Sequence, residues 1–248
     1  MSSAGNDIVA LAAIDKQRTH HSRFYSKILA DAERPLFDSL QPGTMSFENF
    51  VWLLWSIKES VYKYLKRTEP GLLFAPAKIH IRKIELPRIH ADLLHDISAA
   101  PLRSVSAVSS EETQWESRGT GPGDESYKGI ALFESRIFYF RSKIHPDFIA
   151  TVVNSEESFE NIWWGVQSIG HSDYTHQSLA VRSFALNKLN AVLFAGRDAA
   201  GKSPLQIGKS PLGYPLLLKD TREMTIPLSF AHHANFVAYS FNLALPPQ

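Results

Sequence analysis

The 248-residue sequence contains no cysteine. This absence excludes disulfides, a thiolate nucleophile and any zinc site built on cysteine, and it suits the reducing cytoplasm in which we expect the protein. Long apolar runs are also missing, since no stretch approaches the roughly 18 uninterrupted apolar residues of a membrane-spanning helix. The first sixteen residues lack the basic region and apolar core of a signal peptide. We therefore expect no membrane association.

Neither sign of charge predominates. The chain has 26 Lys and Arg against 25 Asp and Glu, a formal net charge of +1. The strongly basic balance typical of nucleic-acid-binding proteins is absent, so we expect no nucleic-acid partner. Basic residues do cluster over 63–67 and 78–88. Such clusters are usual on a solvated surface, but they can also bind a phosphate-rich small ligand or an acidic protein.

Hydrophobic spacing divides the chain into two halves of similar layout. Apolar residues keep the period of a helix from Phe47 to about Arg67, where a Pro-Gly pair follows, and a second helix is predicted over 175–194. Short strands are predicted around both helices: 8–11, 78–86, 129–140, 148–153, 205–207, 213–218, 226–231 and 236–243. The sequence thus predicts an α+β pseudo-dimer of two similar units, 1–153 and 154–248, each a long helix on a small antiparallel sheet.

Residues 98–125 interrupt the first half. They are rich in Ser, Gly, Thr and charged residues and show no periodic apolar pattern. A segment of this length without regular structure is typical of a mobile insertion, and occasionally of a functional loop.

Three short constellations could carry chemistry. Glu59 and Lys63 lie four residues apart on the predicted helix, so they share one face and could form an ordinary ion pair. Asp7 follows a Gly-Asn turn, where its carboxylate could stabilise the turn or act as the hard oxygen ligand that Mg²⁺ prefers. His232 ends a predicted strand and could donate to a phosphate or lie satisfied at the surface. Considered alone, each of these residues could have a purely structural role.

In this order, the three constellations resemble the 4′-phosphopantetheinyl transferase superfamily. Its Gly-x-Asp-Ile strand is similar to residues 5–8, and its Trp-x-x-Lys-Glu-x-x-x-Lys helix is similar to residues 55–63, with every fixed residue present. Its Ser-x-Ser-His strand end is similar to residues 229–232. Two positions depart from the family pattern: Ala231 replaces the second Ser, and Tyr214 replaces the Lys of a Gly-Lys-Pro turn.

The resemblance implies an enzyme of the holo-acyl-carrier-protein synthase type. Such an enzyme uses Mg²⁺, or Mn²⁺, to transfer 4′-phosphopantetheine from coenzyme A to a serine of an acyl or peptidyl carrier protein. The chain has the double length of some members but the motif order of single-unit members, and two fused units imply a monomer. The implied roles are metal ligands at Asp7, Glu33 and Glu59, catalysis by Glu59 and Lys63, and coenzyme A contacts from Lys58, Ser178 and His232.

Two alternatives stay open. The departures at positions 214 and 231 are compatible with a degenerate member that binds coenzyme A or a carrier protein without catalysis. Residues 196–203 also match the Walker A pattern of P-loop nucleotide hydrolases. A genuine P-loop passes directly into a helix whose N-terminus binds the phosphates, whereas Pro204 follows here. The P-loop interpretation is therefore the weaker of the two.

Overall fold

The computed structural model describes residues 3–40, 43–87, 114–118, 125–195 and 204–243. The Walker-like residues, and most of the predicted loop over 98–125, lie outside these ranges. In the part of the chain that is described, no helix is long and apolar enough to cross a membrane.

Within those ranges, helices and antiparallel strands alternate along the chain. The α-helices are α1 (Lys16–Thr19), α2 (Ser22–Tyr25), α3 (Arg34–Asp38), α4 (Phe47–Lys66) and α5 (Tyr174–Leu193). The strands are β1 (Gly5–Ala10), β2 (Ile79–Glu85), β3 (Gln114–Arg118), β4 (Tyr127–Phe133), β5 (Arg136–Ile144), β6 (Phe148–Asn154), β7 (Ile162–Ser168), β8 (Leu205–Lys209), β9 (Pro215–Lys219), β10 (Arg222–Glu223), β11 (Leu228–His233) and β12 (Phe236–Asn242).

The strands form three antiparallel sheets. A five-stranded sheet has the order β1-β6-β5-β4-β2, a four-stranded sheet the order β11-β12-β7-β3, and a three-stranded sheet the order β10-β9-β8. Helix α4 packs on the first sheet around one apolar core, and α5 packs on β11, β12, β8 and β9 around another. The α+β prediction is therefore confirmed, whereas the pseudo-dimer relation of the two halves stays a prediction.

Two predicted segments differ from the structure. The single strand expected over 129–140 is the hairpin of β4 and β5, because the chain turns at Glu134, whose φ is 54°. No Gly, Asn or Pro marks this turn in the sequence. Within the predicted loop over 98–125, residues 114–118 form β3, which pairs with β7 of the second half. Such a long-range pairing leaves little local sequence signal.

Helix α4 begins and ends close to its predicted bounds. The Ser46 side chain accepts a hydrogen bond from the Asn49 N–H at 3.2 Å and so caps the first turn. The helix buries residues around much of its circumference, among them Phe50, Leu54 and Ile57 at 0% exposure. Such burial is expected for a helix that contacts a sheet on one face and loops on another.

Strand β1 lies between the two halves of the molecule. Successive side chains of a strand point to opposite faces. Val9 belongs to the core shared with α4, whereas Ile8 and Ala10 belong to a core shared with β6, β7, β11 and β12. All six residues of β1 are buried. This strand is therefore part of both hydrophobic interfaces.

Side chains of β11 complete the free edge of β1. The Asn6 N–H donates to Ser229 Oγ at 3.2 Å, and the Ala10 N–H donates to His233 Nδ1 at 2.9 Å. Buried backbone N–H donors need such acceptors, because an unpaired N–H group in the interior costs free energy. Strands β1 and β11 thus meet through side-chain acceptors rather than through a backbone hydrogen-bond ladder.

Gly5 allows β1 to approach α4 closely. A Cβ atom at this position would lie 2.2 Å from the Ser60 carbonyl oxygen and 2.8 Å from the Tyr64 nitrogen. Both atoms are helix backbone, which cannot move aside without distorting α4. The glycine of the Gly-x-Asp-Ile motif is therefore required by packing.

We predict that Gly5→Ala lowers the free energy of unfolding by at least about 1–3 kcal/mol, the usual cost of overpacking a core. Urea denaturation of the purified protein measures this difference. Gly71→Ala is the matched control, because no atom lies within 4 Å of the added methyl group at that position. Equal stability of the two variants would contradict the close-approach argument.

We also predict that the contact between the halves weakens at acidic pH. Burial lowers the pKa of His233 below its ordinary value, and its Nδ1 must stay unprotonated to accept from Ala10. A lowered pKa favours the neutral form in the folded state, so this contribution is present above about pH 6.5 and is lost as the pH falls.

Unfolding free energies measured from pH 8 to pH 5 test this prediction. The comparison is with His233→Asn, which keeps an acceptor near the Nδ1 position but does not titrate. The unfolding free energy of wild type minus that of His233→Asn should decrease as the pH falls. A difference that is constant with pH would contradict the assignment.

Candidate functional site

Three of the predicted site residues meet where β1 contacts α4. Lys63 Nζ lies 3.0 Å from Asp7 Oδ1 and 3.3 Å from Glu59 Oε1. Asp7 is buried, whereas about a quarter of the Glu59 and Lys63 side chains is exposed. The cluster therefore combines a buried carboxylate with an accessible carboxylate and an accessible ammonium group.

Burial governs the charge state of Asp7. Burial raises the pKa of Asp7 to about 6, although Lys63 opposes the shift, and the nearby Glu59 raises it further. Burial alone would lower the pKa of Lys63, but the two carboxylates outweigh it and raise that pKa. Asp7 Oδ2 is buried and has no hydrogen-bond partner within the described residues. An unpaired buried carboxylate oxygen is costly, so it favours a bound cation.

The donor atoms of this cluster fit magnesium. Mg²⁺ is commonly held by one or two carboxylates together with phosphate oxygens and water. Asp7 and Glu59 supply two hard oxygen ligands, and Asp7 Oδ2 is free to accept one more contact. Across the described ranges, no group of three or more His, Cys, Asp or Glu side chains could hold a metal. The arrangement suits an ion that shares its coordination with a phosphate substrate.

Glu33 and Lys58 do not join this cluster. Lys58 Nζ lies 2.7 Å from Glu33 Oε2, and the two side chains are 0% and 1% exposed. Glu33 also accepts from the N–H groups of Ala30 and Ile81, at 2.8 and 2.7 Å. Ile81 belongs to β2, at the opposite edge of the sheet from β1.

This buried ion pair separates Glu33 and Lys58 from the other predicted site residues, and their predicted roles stay predictions. A metal ligand or a phosphate contact needs access from solvent, and both side chains are almost fully buried in this structure. The physical reason is helical geometry, since adjacent residues of a helix point about 100° apart. Glu59 therefore faces the cluster, while its neighbour Lys58 faces the protein interior.

His232 lies on the side of the cluster that the second half provides. Its ring contacts the Tyr174 ring edge-on, with the centroids 5.9 Å apart. Partial burial and the charge of Lys63 lower the pKa of His232, and Glu59 opposes the shift. Ser178, on α5, instead hydrogen-bonds Arg182 of the same helix. The structure thus places His232 within electrostatic range of the cluster but shows no such contact for Ser178.

A cleft of about 250 Å³ lies beside Lys63, between α4 and strands of the second half. Its lining residues are Ala4, Tyr62, Lys63, Lys66, Arg67, Leu212, Gly213, Tyr214, Pro215, Leu228, Ser229 and Phe230. The sequence showed the basic cluster over 63–67, but its spacing gave no role to Lys66 or Arg67. The position of Arg67 in the cleft depends on contacts with β9 and β11, which sequence periodicity does not predict.

Residues 3–116 match the family model of the 4′-phosphopantetheinyl transferase superfamily. The match covers a little less than half of the chain. The matched residues include Asp7, Glu59 and Lys63, whereas α5 and His232 lie beyond them. No curated protein and no solved structure matches the chain. The superfamily domain supports phosphopantetheinyl transfer as the general activity, with coenzyme A and a divalent metal as its usual requirements.

We predict that Asp7→Asn is at least as stable as wild type at pH 8 in the presence of chelator. A raised pKa means that the folded state favours the neutral carboxyl group, so ionisation of Asp7 costs stability as the pH rises through about 6. The expected gain is at most about 3 kcal/mol, and the loss of one partner for Lys63 reduces it.

Thermal unfolding at pH 4 and pH 8 tests this prediction. The gain should disappear at pH 4, where most of the wild-type carboxyl group is already neutral in the folded state. Asp38→Asn, at an exposed position, is the matched control and should show no such pH dependence. A wild type clearly more stable than Asp7→Asn at pH 8 would overturn the account of the buried carboxylate.

Proposed function

We propose that the protein transfers 4′-phosphopantetheine from coenzyme A to a serine of an acyl or peptidyl carrier protein, with Mg²⁺ as the metal. The observation that supports this most directly is the cluster of Asp7, Lys63 and Glu59, which lies within the matched superfamily domain. Phosphoryl transfer depends mainly on charge neutralisation and alignment. A cluster with two carboxylates and an ammonium group beside an open cleft meets both needs.

The reaction breaks the bond between the β-phosphorus of coenzyme A and the oxygen of the 3′,5′-ADP leaving group. The carrier serine forms the new bond and gives up its proton. Glu59 is the candidate base, directly or through a water, because part of its side chain is exposed. Asp7 and Glu59 would hold Mg²⁺, which when bound supplies charge neutralisation at the pyrophosphate.

Lys63 is suited to the charge that develops on the leaving group. The two carboxylates raise its pKa, so the ammonium group stays protonated at neutral pH. It can therefore donate to a phosphate oxygen throughout the reaction. A fixed cation of this kind stabilises a transition state more than a mobile counterion does.

His232 would bind the pyrophosphate from the side opposite α4. Its exposure at the end of β11, and the effect of Lys63 and Glu59 on its pKa, support a position near the same ligand. Coenzyme A would then bind between the two predicted units, as ligands commonly do at such interfaces. This arrangement makes the second half part of the site.

The proposal predicts that an apo carrier protein gains the mass of phosphopantetheine when it is incubated with coenzyme A, Mg²⁺ or Mn²⁺, and this protein. Glu59→Gln should reduce turnover at least about a hundredfold, the lower end of what a general base contributes. Mass spectrometry of acyl and peptidyl carriers measures the product. Glu156→Gln, at an exposed position, is the control and should leave turnover unchanged. Full activity in excess chelator would refute the metal-dependent mechanism.

A degenerate protein that binds without transfer is the second candidate, because Ala231 and Tyr214 replace two family residues. Calorimetry with coenzyme A distinguishes the two. Tight binding without transfer to any carrier of either type would favour the degenerate protein. Product formation on any carrier would exclude it.

A further inference from the structure

Two cations beside Lys63, namely Lys66 and Arg67, form no close ion pair with a carboxylate in the part of the chain that the structure describes, and Glu223 acts on Arg67 only from a longer distance. Arg67 donates from Nη1 to the Leu228 carbonyl at 3.0 Å and from Nη2 to the Pro215 carbonyl at 3.4 Å. Lys66 Nζ likewise donates to backbone carbonyls, including that of Leu72 at 2.8 Å. Carbonyl groups fix the positions of these cations but do not neutralise their charge. The cleft therefore has an excess of positive charge that favours an anionic ligand.

Arg67 keeps the capacity to bind such a ligand. A guanidinium has five N–H donors, so the two carbonyl contacts leave three unused. Its central carbon lies 4.5 Å from the centroid of the Tyr214 ring. Stacking on an aromatic face orients the planar group and leaves its edge free for a phosphate.

The rest of the cleft has the composition of a nucleotide site. Its wall combines the aromatic residues Tyr62, Tyr214 and Phe230 with the cations of α4. Lys63 and Arg67 are four residues apart, a separation that brings side chains of a helix within about 5–6 Å of each other. The helix thus presents two successive positive charges to one ligand that carries two phosphate groups.

We propose that Arg67 is a specificity-determining residue that binds the 3′-phosphate of coenzyme A. This inference rests on the proposed function, because it takes coenzyme A as the substrate and Lys63 as the contact of its pyrophosphate. The pyrophosphate and the 3′-phosphate are attached to the same ribose. A ligand aligned along α4 with its pyrophosphate at Lys63 therefore brings its 3′-phosphate to Arg67. The Tyr214 ring then orients the Arg67 guanidinium by stacking, whereas the lysine of the family pattern at this position would carry a charge itself.

The test compares coenzyme A with dephospho-coenzyme A, which lacks only the 3′-phosphate. Arg67→Met should raise KM for coenzyme A about ten- to a hundredfold, the value of a charge-assisted hydrogen bond. It should leave kcat, and KM for dephospho-coenzyme A, nearly unchanged. Arg82→Met is the matched control, because Arg82 is exposed on β2, at the far edge of the first sheet. Should the Met variant not fold, Arg67→Gln, which keeps an N–H donor for the carbonyl groups, repeats the test.

An equal loss with both substrates would overturn the proposal, because it would make Arg67 a structural link between the halves. Calorimetry with adenosine 3′,5′-bisphosphate and adenosine 5′-monophosphate separates this result from a failure of the proposed function. Preferential binding of the bisphosphate that Arg67→Met abolishes supports the subsite even where no carrier is modified. Transfer activity that does not distinguish the two forms of coenzyme A rejects the subsite and leaves the enzyme assignment intact.

Discussion

The contact between β1 and α4 determines whether the site exists. Gly5 brings the strand against the helix backbone at Ser60 and Tyr64. Because strand side chains repeat with a period of two, Asp7 points to the same face as Gly5 and so reaches Lys63. A larger residue at position 5 would move Asp7 away from Lys63 and Glu59 together. The glycine and the aspartate of this short motif therefore act together, because the close packing of Gly5 on α4 positions Asp7.

The buried ion pair of Lys58 and Glu33 fixes the other side of this contact. A buried charge pair is stable only where further hydrogen bonds satisfy it, and Glu33 receives two backbone N–H groups besides Lys58. These bonds tie α4 to β2 and to the loop at Ala30, which sets the rotation of the helix about its axis. That rotation directs Glu59 to the cluster. In the Lys-Glu pair, one residue thus orients the helix and its neighbour lies at the cluster.

The sequence predicted local features well and long-range contacts poorly. Helical spacing located α4, and motif order brought Asp7, Glu59 and Lys63 into one hypothesis. Periodicity identifies the face on which a residue lies, but it does not name the partner that covers this face. For that reason the sequence predicts a phosphate contact at Lys58, whereas in the structure its ammonium group donates to Ile28 and Glu33 in the interior. The pairing of β3 with β7 escaped prediction for the same reason, since its partner lies far along the chain.

The departure at Ala231 is easier to understand from the junction of the halves. Ser229 accepts from Asn6, and His233 accepts from Ala10. The two acceptors are four residues apart on β11 and the two donors are four residues apart on β1, so the strands run in the same direction. Ala231 therefore lies level with Ile8, within the same apolar cluster. Ala231 is 2% exposed, and a hydroxyl group at this buried position would need a hydrogen-bond partner. The ion pairs of the cluster join Lys63 to Asp7 and to Glu59 and involve no atom of Ala231, so the alanine does not interrupt the carboxylate cluster.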